Sequence, residues 1–323
     1  MSFAMKDQKN VIIWHERPDW TASYVSRLEE VLPDLRYIGV ASHGEAMKVA
    51  PLANVMIGIA PYLKPELITA MPRLEWIQSL TTGIDNLLQM AELPKGLPIT
   101  RIAGVQGPQM SEHVLTLMLC LARDIPGVLK RQRAHDWDRR PQKALHGKTV
   151  CILGLGKIAE YLARYCRVLG MRVTAISDGR QCAENVDEIF PRSRIGDAVA
   201  EADFLVVLVP LTPATRHIVN ESVLSRMKAN AFVINVARGG CVDEAALHAA
   251  LSSGRIAGAA LDVFETEPLP SGNPLWDLPN VIVTPHVGGF ADIYLEQCFP
   301  IVHENLKAYA GGGSEAVKDA ERR

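Results

Sequence analysis

Arg238, Glu267 and His286 have complementary chemistry, and each follows a short apolar run of the kind that forms a buried strand. Arg238 lies in Ala237-Arg-Gly-Gly240 after Phe232–Val236. Glu267 lies in Asp262-Val-Phe-Glu265-Thr-Glu267-Pro268 after Ala257–Val263, sharing one acidic loop with Glu265. His286 lies in Pro285-His286-Val-Gly288-Gly289 after Val281–Thr284. A guanidinium can hold a carboxylate and polarise a keto oxygen beside it. An imidazolium can protonate the alkoxide that forms as hydride arrives, and a carboxylate can keep that imidazole charged. Taken singly, these would be a solvated arginine, a surface acid and an idle histidine. Three such types at three successive strand ends point instead to reduction of a 2-keto acid.

A hydride donor has its own signature. Gly154-Leu-Gly156-Lys157-Ile158-Ala159 follows the apolar run Thr149–Leu153 and opens a helical face of Ile158, Ala159, Leu162, Ala163, Cys166 and Leu169. In that context G-x-G-x-x-A is a dinucleotide fingerprint. The first glycine permits a tight turn, the second admits a pyrophosphate to the backbone, and the small third residue lets helix and strand pack closely. The helix N-terminus adds free N–H groups and positive dipole. The competing readings are a bare βα turn and an S-adenosylmethionine loop. Asp178, in Ser177-Asp178-Gly-Arg180, lies 22 residues past Gly156, where an acidic side chain can hold the adenosine ribose. Its charge repels a 2′-phosphate, so NAD is the expected cofactor. Arg180 is the opposing feature, since a guanidinium can clamp that phosphate and admit NADP. The plain alternative for Asp178 is a solvated turn residue.

The elements that must position these residues follow from the alternation of β-branched runs with 10- to 15-residue helical patterns, which predicts βαβ units and parallel sheets. Strands are expected at Val11–Trp14, Tyr37–Val40, Val55–Ile59 and Trp76–Ser79, with helices at Tyr24–Leu32 and Pro65–Ala70. Further strands are expected at Thr149–Leu153, Val173–Ile176, Phe204–Val209, Phe232–Val236, Ala257–Val263 and Val281–Thr284. Asn220 and Asp243 stand where helix N-caps belong. One long helix is expected over Gln109–Leu129 and another over Ile293–Tyr309, followed by a frayed tail at Ser314–Arg323.

Composition narrows the class. At 323 residues, 48% hydrophobic and 22% charged, the chain suits about two globular domains. Long disorder, collagen and coiled coil are poor readings. A formal charge of −2 supplies no global positive field for nucleic acid or anionic lipid. The apolar run Val114–Ala122 is far short of a membrane span, and Met1–Asn10 lacks the apolar core of a signal peptide. The six cysteines show no Cys-x-x-Cys pair or zinc spacing, so no metal is expected. Reduced thiols in a cytoplasmic protein are the plain reading.

With these residues in view, the chain resembles the D-isomer-specific 2-hydroxyacid dehydrogenases, which include glyoxylate/hydroxypyruvate reductases and phosphoglycerate dehydrogenases. The resemblance runs through Leu74–Asp85, Gly107–His113, His146–Gly156, Val209–Thr215, Ile234–Gly240, Leu261–Leu269 and Thr284–Gly289. It implies two Rossmann-like doubly wound parallel-sheet domains with the active site in the interdomain cleft. Residues 1–103 and 290–323 would form a discontinuous substrate-binding domain, and 104–289 the dinucleotide-binding domain. It implies that Arg238 binds the substrate carboxylate and keto oxygen, that His286 is the general acid/base, and that Glu267 rather than Glu265 pairs with it. Backbone N–H groups of Thr82-Gly83-Ile84 would receive the substrate carboxylate. Asp262 would meet the nicotinamide carboxamide, Val236 and Ala237 would lie near its ring, and Pro210 would pack on it. Lys157, Ile158, Val209, Thr215, Arg238, His286 and Gly288 would complete the cofactor surface.

Two positions depart from the family pattern. The third fingerprint position is Ala159, and the family's ribose-binding Asp falls on Ser177, with Asp178 one place later. The resemblance further implies a homodimer with a small 2-keto or 2-hydroxy acid as substrate. Lys64 and Arg101 are the bases expected at the Thr82 loop, with Arg139 and Arg140 at an undetermined distance, which favours glyoxylate or hydroxypyruvate over a phosphorylated acid. The alternatives are a phosphoglycerate dehydrogenase-like enzyme and, in another class, a dinucleotide-sensing transcriptional corepressor.

Overall fold

Successive residues of the apolar runs enter opposite cores, which is what makes these runs strands. The computed structural model describes residues 8–322; Met1–Asp7, part of the segment read for a signal peptide, and Arg323, the end of the expected tail, lie outside the described residues. The chain divides into two units, one running to Val105 and resuming at Ile293, the other spanning Gln106–Asp292.

The first unit runs β1 (Asn10–Trp14), α1 (Pro18–Val31), β2 (Arg36–Val40), α2 (His43–Val49), β3 (Val55–Gly58), α3 (Pro65–Thr69), β4 (Trp76–Ser79), α4 (Asp85–Leu88) and β5 (Ile99–Thr100). Its described strands pair in parallel in the order β2-β1-β3-β4-β5. Val11 and Ile13 enter the core on one face, Ile12 and Trp14 the core on the other. The first helix begins at Pro18, well before the expected Tyr24, because proline is pre-organised for a helix's first turn.

The second unit runs α5 (Gly107–Ala122), α6 (Ile125–Arg133), β6 (Thr149–Leu153), α7 (Lys157–Val168), β7 (Arg172–Ile176), β8 (Glu188–Phe190), α8 (Ile195–Ala200), β9 (Phe204–Val207), α9 (Glu221–Arg226), β10 (Phe232–Asn235), α10 (Glu244–Ser252), β11 (Gly258–Leu261) and β12 (Val281–Val283). These strands form a parallel sheet ordered β12-β11-β10-β9-β6-β7-β8. Cys151 and Leu153 face one core while Val150 and Ile152 face the other, and β9 and β10 alternate likewise. Each fully buried Leu, Ile or Phe in such a core contributes about 1.5–3 kcal/mol. The strand order reverses between β6 and β9, and a doubly wound sheet binds its ligand outside the carboxyl ends at such a point. Asn220 and Asp243 cap α9 and α10 by accepting the N–H groups of Val223 and Ala246.

The chain then returns to the first unit through α11 (Tyr294–Gly312), whose Tyr294, Leu295, Cys298, Val302, Leu306 and Tyr309 fill the β1–β3–β4 face. Asn305 donates to the buried Gln78 Oε1 at 2.7 Å, tying α11 to β4.

Two expectations are corrected. The single helix over Gln109–Leu129 is two helices, broken where Asp124 adopts φ 45 and its carboxylate caps Gly127. Pro126 just beyond has no N–H to continue the ladder, so the break is local and strong. The segment after Gly313 is not frayed over its described length. Ser314–Ala316 form a 3₁₀ turn, Ile99 and Glu321 exchange backbone hydrogen bonds, and Arg322 donates to the Gly96 carbonyl. Pairing with the edge strand β5 decided this, and a local pattern carries no sign of a distant edge. Several strands also stop short of their apolar runs: Val209, Val236 and Thr284 fall past the ends of β9, β10 and β12. There the backbone leaves the ladder to form the turns described next.

Candidate active site

The chain leaves β12 through Thr284-Pro285-His286, and His286 adopts φ 54, a region that side chains with a Cβ rarely enter. Asp262, just past β11, holds it there. Its Oδ1 accepts the Val287 N–H at 3.0 Å, and its Oδ2 accepts the Gly288 N–H at 2.9 Å. The Thr284 hydroxyl donates to Oδ1 at 2.5 Å, and His113 Nε2 on α5 lies 3.4 Å from the same oxygen. Asp262 is 1% exposed. Burial pushes its carboxyl up, but the His113, Thr284, Val287 and Gly288 donors outweigh that, and it lies below the ordinary aspartate value. A buried anion thus locks the turn that carries the imidazole.

His286 Nδ1 meets Glu267 Oε2 at 2.7 Å, and Glu267 Oε1 accepts the Phe264 N–H at 2.9 Å. Both Glu267 oxygens are therefore directed. Burial pushes the Glu267 carboxyl up. The His286 hydrogen bond, the Phe264 N–H and the positive charges of His286 and Arg238 together hold it below the usual glutamate value. Glu265 lies elsewhere, its Oε1 2.5 Å from His217 Nε2. With Nδ1 on Glu267 and half the His286 side chain exposed, Nε2 is the nitrogen that can pass a proton outward.

Arg238 leaves β10 in a turn built by Asn235, a residue the sequence reading passed over. Buried at the strand end, Asn235 Oδ1 accepts the Ala237 N–H at 3.1 Å and Nδ2 donates to the Arg238 carbonyl at 2.9 Å. The sign in the sequence is an amide closing the otherwise apolar Phe232-Val-Ile-Asn235. Arg238 Nη1 donates to the Ala237 carbonyl at 2.6 Å. A Cβ on Gly239 would collide with the Phe264 carbonyl and the Glu265 nitrogen. Only glycine lets the Arg238 turn press directly on the loop that carries Glu267.

The dinucleotide fingerprint occupies the switch point. Gly154 takes φ 103, and a Cβ there would come within 2.9 Å of Val209 Cγ1, so this glycine serves both the turn and its packing. Gly156 differs: a Cβ there would meet nothing within 4 Å. It N-caps α7 and, as a glycine, brings no side chain to the first-turn N–H groups. Open space before a helix N-terminus, whose first N–H groups have no partner within the helix, fits a pyrophosphate. Lys157 and Ile158 begin α7; Lys157 Nζ lies 3.5 Å from Glu160, and the Ile158 carbonyl accepts the Ser111 hydroxyl. In the Val209–Thr215 loop, the buried Thr215 hydroxyl donates to the Pro210 carbonyl at 2.6 Å and accepts the Thr212 N–H.

At the end of β7, Ser177 Oγ accepts the Gly179 N–H. Asp178 Oδ1 accepts the Arg192 N–H at 2.7 Å, and its Oδ2 lies 3.3 Å from Arg192 Nε. Arg180 Nη1 is held by Glu160 at 2.5 Å. The Arg180 hydrogen bond is the main reason the Glu160 carboxyl lies below its ordinary value. Arg192 and Glu160 were invisible beforehand as partners, since 14 and 20 residues separate them from Asp178 and Arg180.

Thr82-Gly83-Ile84 belong to the other unit, past the carboxyl end of β4. The Thr81 hydroxyl donates to the Gly83 carbonyl at 2.8 Å, and the Tyr294 hydroxyl to the Leu80 carbonyl at 2.6 Å. Ile84 is buried, and its carbonyl accepts the Leu87 and Leu88 N–H groups at the start of α4.

Residues 115–288 match the family model described as the NAD-binding domain of D-isomer specific 2-hydroxyacid dehydrogenases. The D-3-phosphoglycerate dehydrogenase of Methanocaldococcus jannaschii is 35% identical over 259 residues, which is 76% of this chain and 48% of that protein. The chain thus spans about half the length of that relative. The glyoxylate reductase of Thermococcus kodakarensis is 34% identical over 275 residues, 82% of each chain. Among solved structures, the NADPH-dependent glyoxylate/hydroxypyruvate reductase of Sinorhizobium meliloti, in complex with NADP and sulfate, superposes with a TM-score of 0.81 at 27% identity. That match covers 97% of this chain and 98% of the other.

Proposed function

The chain belongs to the D-isomer specific 2-hydroxyacid dehydrogenase family, and from that premise we propose that it interconverts a small 2-keto acid and its D-2-hydroxy acid with NAD(P). The observation that carries the proposal is the His286–Glu267 contact at 2.7 Å, on a turn locked by Asp262 and beside the Arg238 turn. When bound at the α7 N-terminus, the nicotinamide cofactor supplies the hydride that substrate C2 receives. Arg238 holds the carboxylate and draws electron density toward the keto oxygen. His286 gives that oxygen its proton from Nε2 while Glu267 keeps hold of Nδ1. In the oxidising direction His286 takes the proton back. Thr82, Gly83 and Ile84 are proposed to receive the substrate carboxylate through their backbone.

A panel of 2-keto acids assayed with NADH and NADPH tests this directly. Glyoxylate or hydroxypyruvate should show the highest kcat/KM, well above a phosphorylated 2-keto acid. Arg101, one of the bases expected at the Thr82 loop, is already paired with Glu321 at 3.1 Å, which draws its charge away from a substrate phosphate. No turnover of any 2-keto acid with either cofactor would sink the proposal.

NADH is the proposed partner over NADPH. Asp178 supplies a carboxylate at the end of β7, and Arg180, the cation that favours a 2′-phosphate, is held by Glu160. Arg192 works the other way by drawing off part of the Asp178 charge. Asp178→Ala should therefore lower the NADH:NADPH ratio of kcat/KM. A wild type that prefers NADPH, as the Sinorhizobium meliloti relative is named to do, would overturn the choice. A ratio unmoved by Asp178→Ala would refute its cause.

The Glu267 carboxyl lies below the ordinary value, so it is an anion across the neutral range. The stability its anion contributes is complete above the ordinary glutamate value and is lost as pH falls through the lowered one. Reduction consumes the imidazolium and weakens toward alkaline pH. Glu267→Gln keeps an acceptor but removes the charge beside His286, so kcat for reduction should fall. Glu265→Gln should leave kcat near wild type, and the reverse result would mean the wrong carboxylate is named.

A homodimer and a cytoplasmic location belong to the same proposal. The described cysteines are free thiols, with Cys151, Cys166, Cys241 and Cys298 buried. No residue of α6 is buried; Ile125, Val128 and Leu129 are exposed on it, and Trp137 is 94% exposed. An apolar surface of this kind suits a second copy of the chain. A sedimentation mass near 35.4 kDa, that of one chain, would count against the dimer.

A further inference from the structure

We propose that Glu265 is a positioning residue of this site, anchored by His217 and Glu244 so that the Glu267 carboxylate is held against His286. The inference rests on reading His286 and Glu267 as the acid/base pair. One orientation of Glu267 depends on the Phe264 N–H, which holds its Oε1 at 2.9 Å while Oε2 meets His286. That N–H belongs to the Val263–Phe264 peptide, one Cα away from the Phe264–Glu265 peptide, so its direction depends on how the latter is held, and three contacts hold it. Glu244 Oε1, in the first turn of α10, accepts the Glu265 N–H at 2.6 Å. Gly239 packs on the same peptide so closely that a Cβ would overlap it. The Glu265 side chain reaches back to His217 Nε2 at 2.5 Å.

His217 is itself held firmly. It adopts φ 49, and its N–H donates to the Gly240 carbonyl at 2.8 Å, two residues past Arg238. The His217–Glu265 pair therefore bridges the Arg238 turn and the Glu267 loop. Both side chains are over a third exposed, so the pair adds little to global stability. A contact of small thermodynamic worth, made between two strained or crowded backbone turns, acts through geometry. A carboxylate held in register by its neighbours is what a directed proton transfer requires.

The test reads the His286 tautomer, which needs neither substrate nor cofactor. The imidazole ¹⁵N shifts of His286 are followed through its ring C–H protons at alkaline pH, where the ring is neutral. A correctly placed Glu267 keeps the proton on Nδ1, because the hydrogen bond a ring nitrogen makes selects the tautomer. Wild type and Glu265→Gln, which retains an acceptor for His217, should show the Nδ1–H form. Glu265→Ala and His217→Ala should shift toward the Nε2–H form, as should Glu267→Ala, the reference for loss of the partner. In turnover of the best 2-keto acid, Glu265→Ala should lower kcat by roughly 10-fold with KM little changed. In a Glu267→Ala background it should cost nothing further. An Nδ1–H tautomer retained in folded Glu265→Ala and His217→Ala overturns the inference. Absence of any keto-acid turnover in wild type would instead strike the reading of function, with the tautomer result still deciding the positioning role. Should Glu265→Ala fail to fold, His217→Ala interrogates the same contact from its other side.

Discussion

His286→Gln should lower kcat for 2-keto acid reduction by roughly 10²–10⁴-fold, the usual worth of a positioned proton donor. The glutamine amide can still lie against Glu267 but has no proton to give at neutral pH. The backbone argues for a clean comparison. At φ 54 the residue is held by the Val287 and Gly288 N–H groups on Asp262, and neither contact involves the His286 side chain. Both His and Gln carry a Cβ, so the strain of the left-handed region, about 1–3 kcal/mol, is common to wild type and variant. The fold should survive, which circular dichroism would establish. Wild-type reduction should weaken toward alkaline pH and oxidation of the hydroxy acid toward acid, because the two directions need opposite protonation states of one imidazole. In His286→Gln both limbs should vanish along with the rate. Near-wild-type turnover in this variant would remove His286 from the chemistry.

Arg238→Lys is expected to cost about 10²-fold in kcat/KM for the keto acid, while NADH binding followed by fluorescence stays near wild type. Two effects produce the loss. A lysine ammonium cannot reproduce the two-pronged hydrogen bonding of a guanidinium to a carboxylate. A factor of about 10² corresponds to about 2.7 kcal/mol, within the range for one or two hydrogen bonds to a charged group. The substitution also removes the Nη1 contact to the Ala237 carbonyl, whereas the Asn235 contacts that build the turn are made to backbone and remain. The turn should therefore stay in place. A collapse of cofactor affinity with substrate kinetics intact would assign Arg238 to the dinucleotide instead.

Much of this site was legible from local pattern. Thr149–Leu153 and Gly154-Leu-Gly156 declare a buried strand, a tight turn and a helix N-terminus because each property depends on residues adjacent in the chain. The apolar run before each of Arg238, Glu267 and His286 likewise announces a strand end, and the residue types announce a chemistry. Period-two burial across β6, β9 and β10 then follows from side-chain geometry alone.

What the tertiary structure decided is how those strand ends are held. Glu265 and Glu267 share one acidic loop, and their separate partners, His217 and His286, are 48 and 19 residues away. The resemblance named Glu267, but no local rule distinguishes two glutamates two positions apart. Asp262 was assigned by resemblance to the cofactor carboxamide, and in the fold its two oxygens hold Thr284, Val287 and Gly288. Asp178 reads as a bare carboxylate until the chain beyond β8 brings Arg192 to it. The tail read as frayed because its partner, Ile99 on an open sheet edge, lies more than two hundred residues earlier. Hydrogen bonds and ion pairs act over a few ångströms of space with no regard to sequence separation. The sequence by itself determined which residues stand at the strand ends and what chemistry they offer. Only the folding of those ends against one another decided which carboxylate lies against His286 and which against His217.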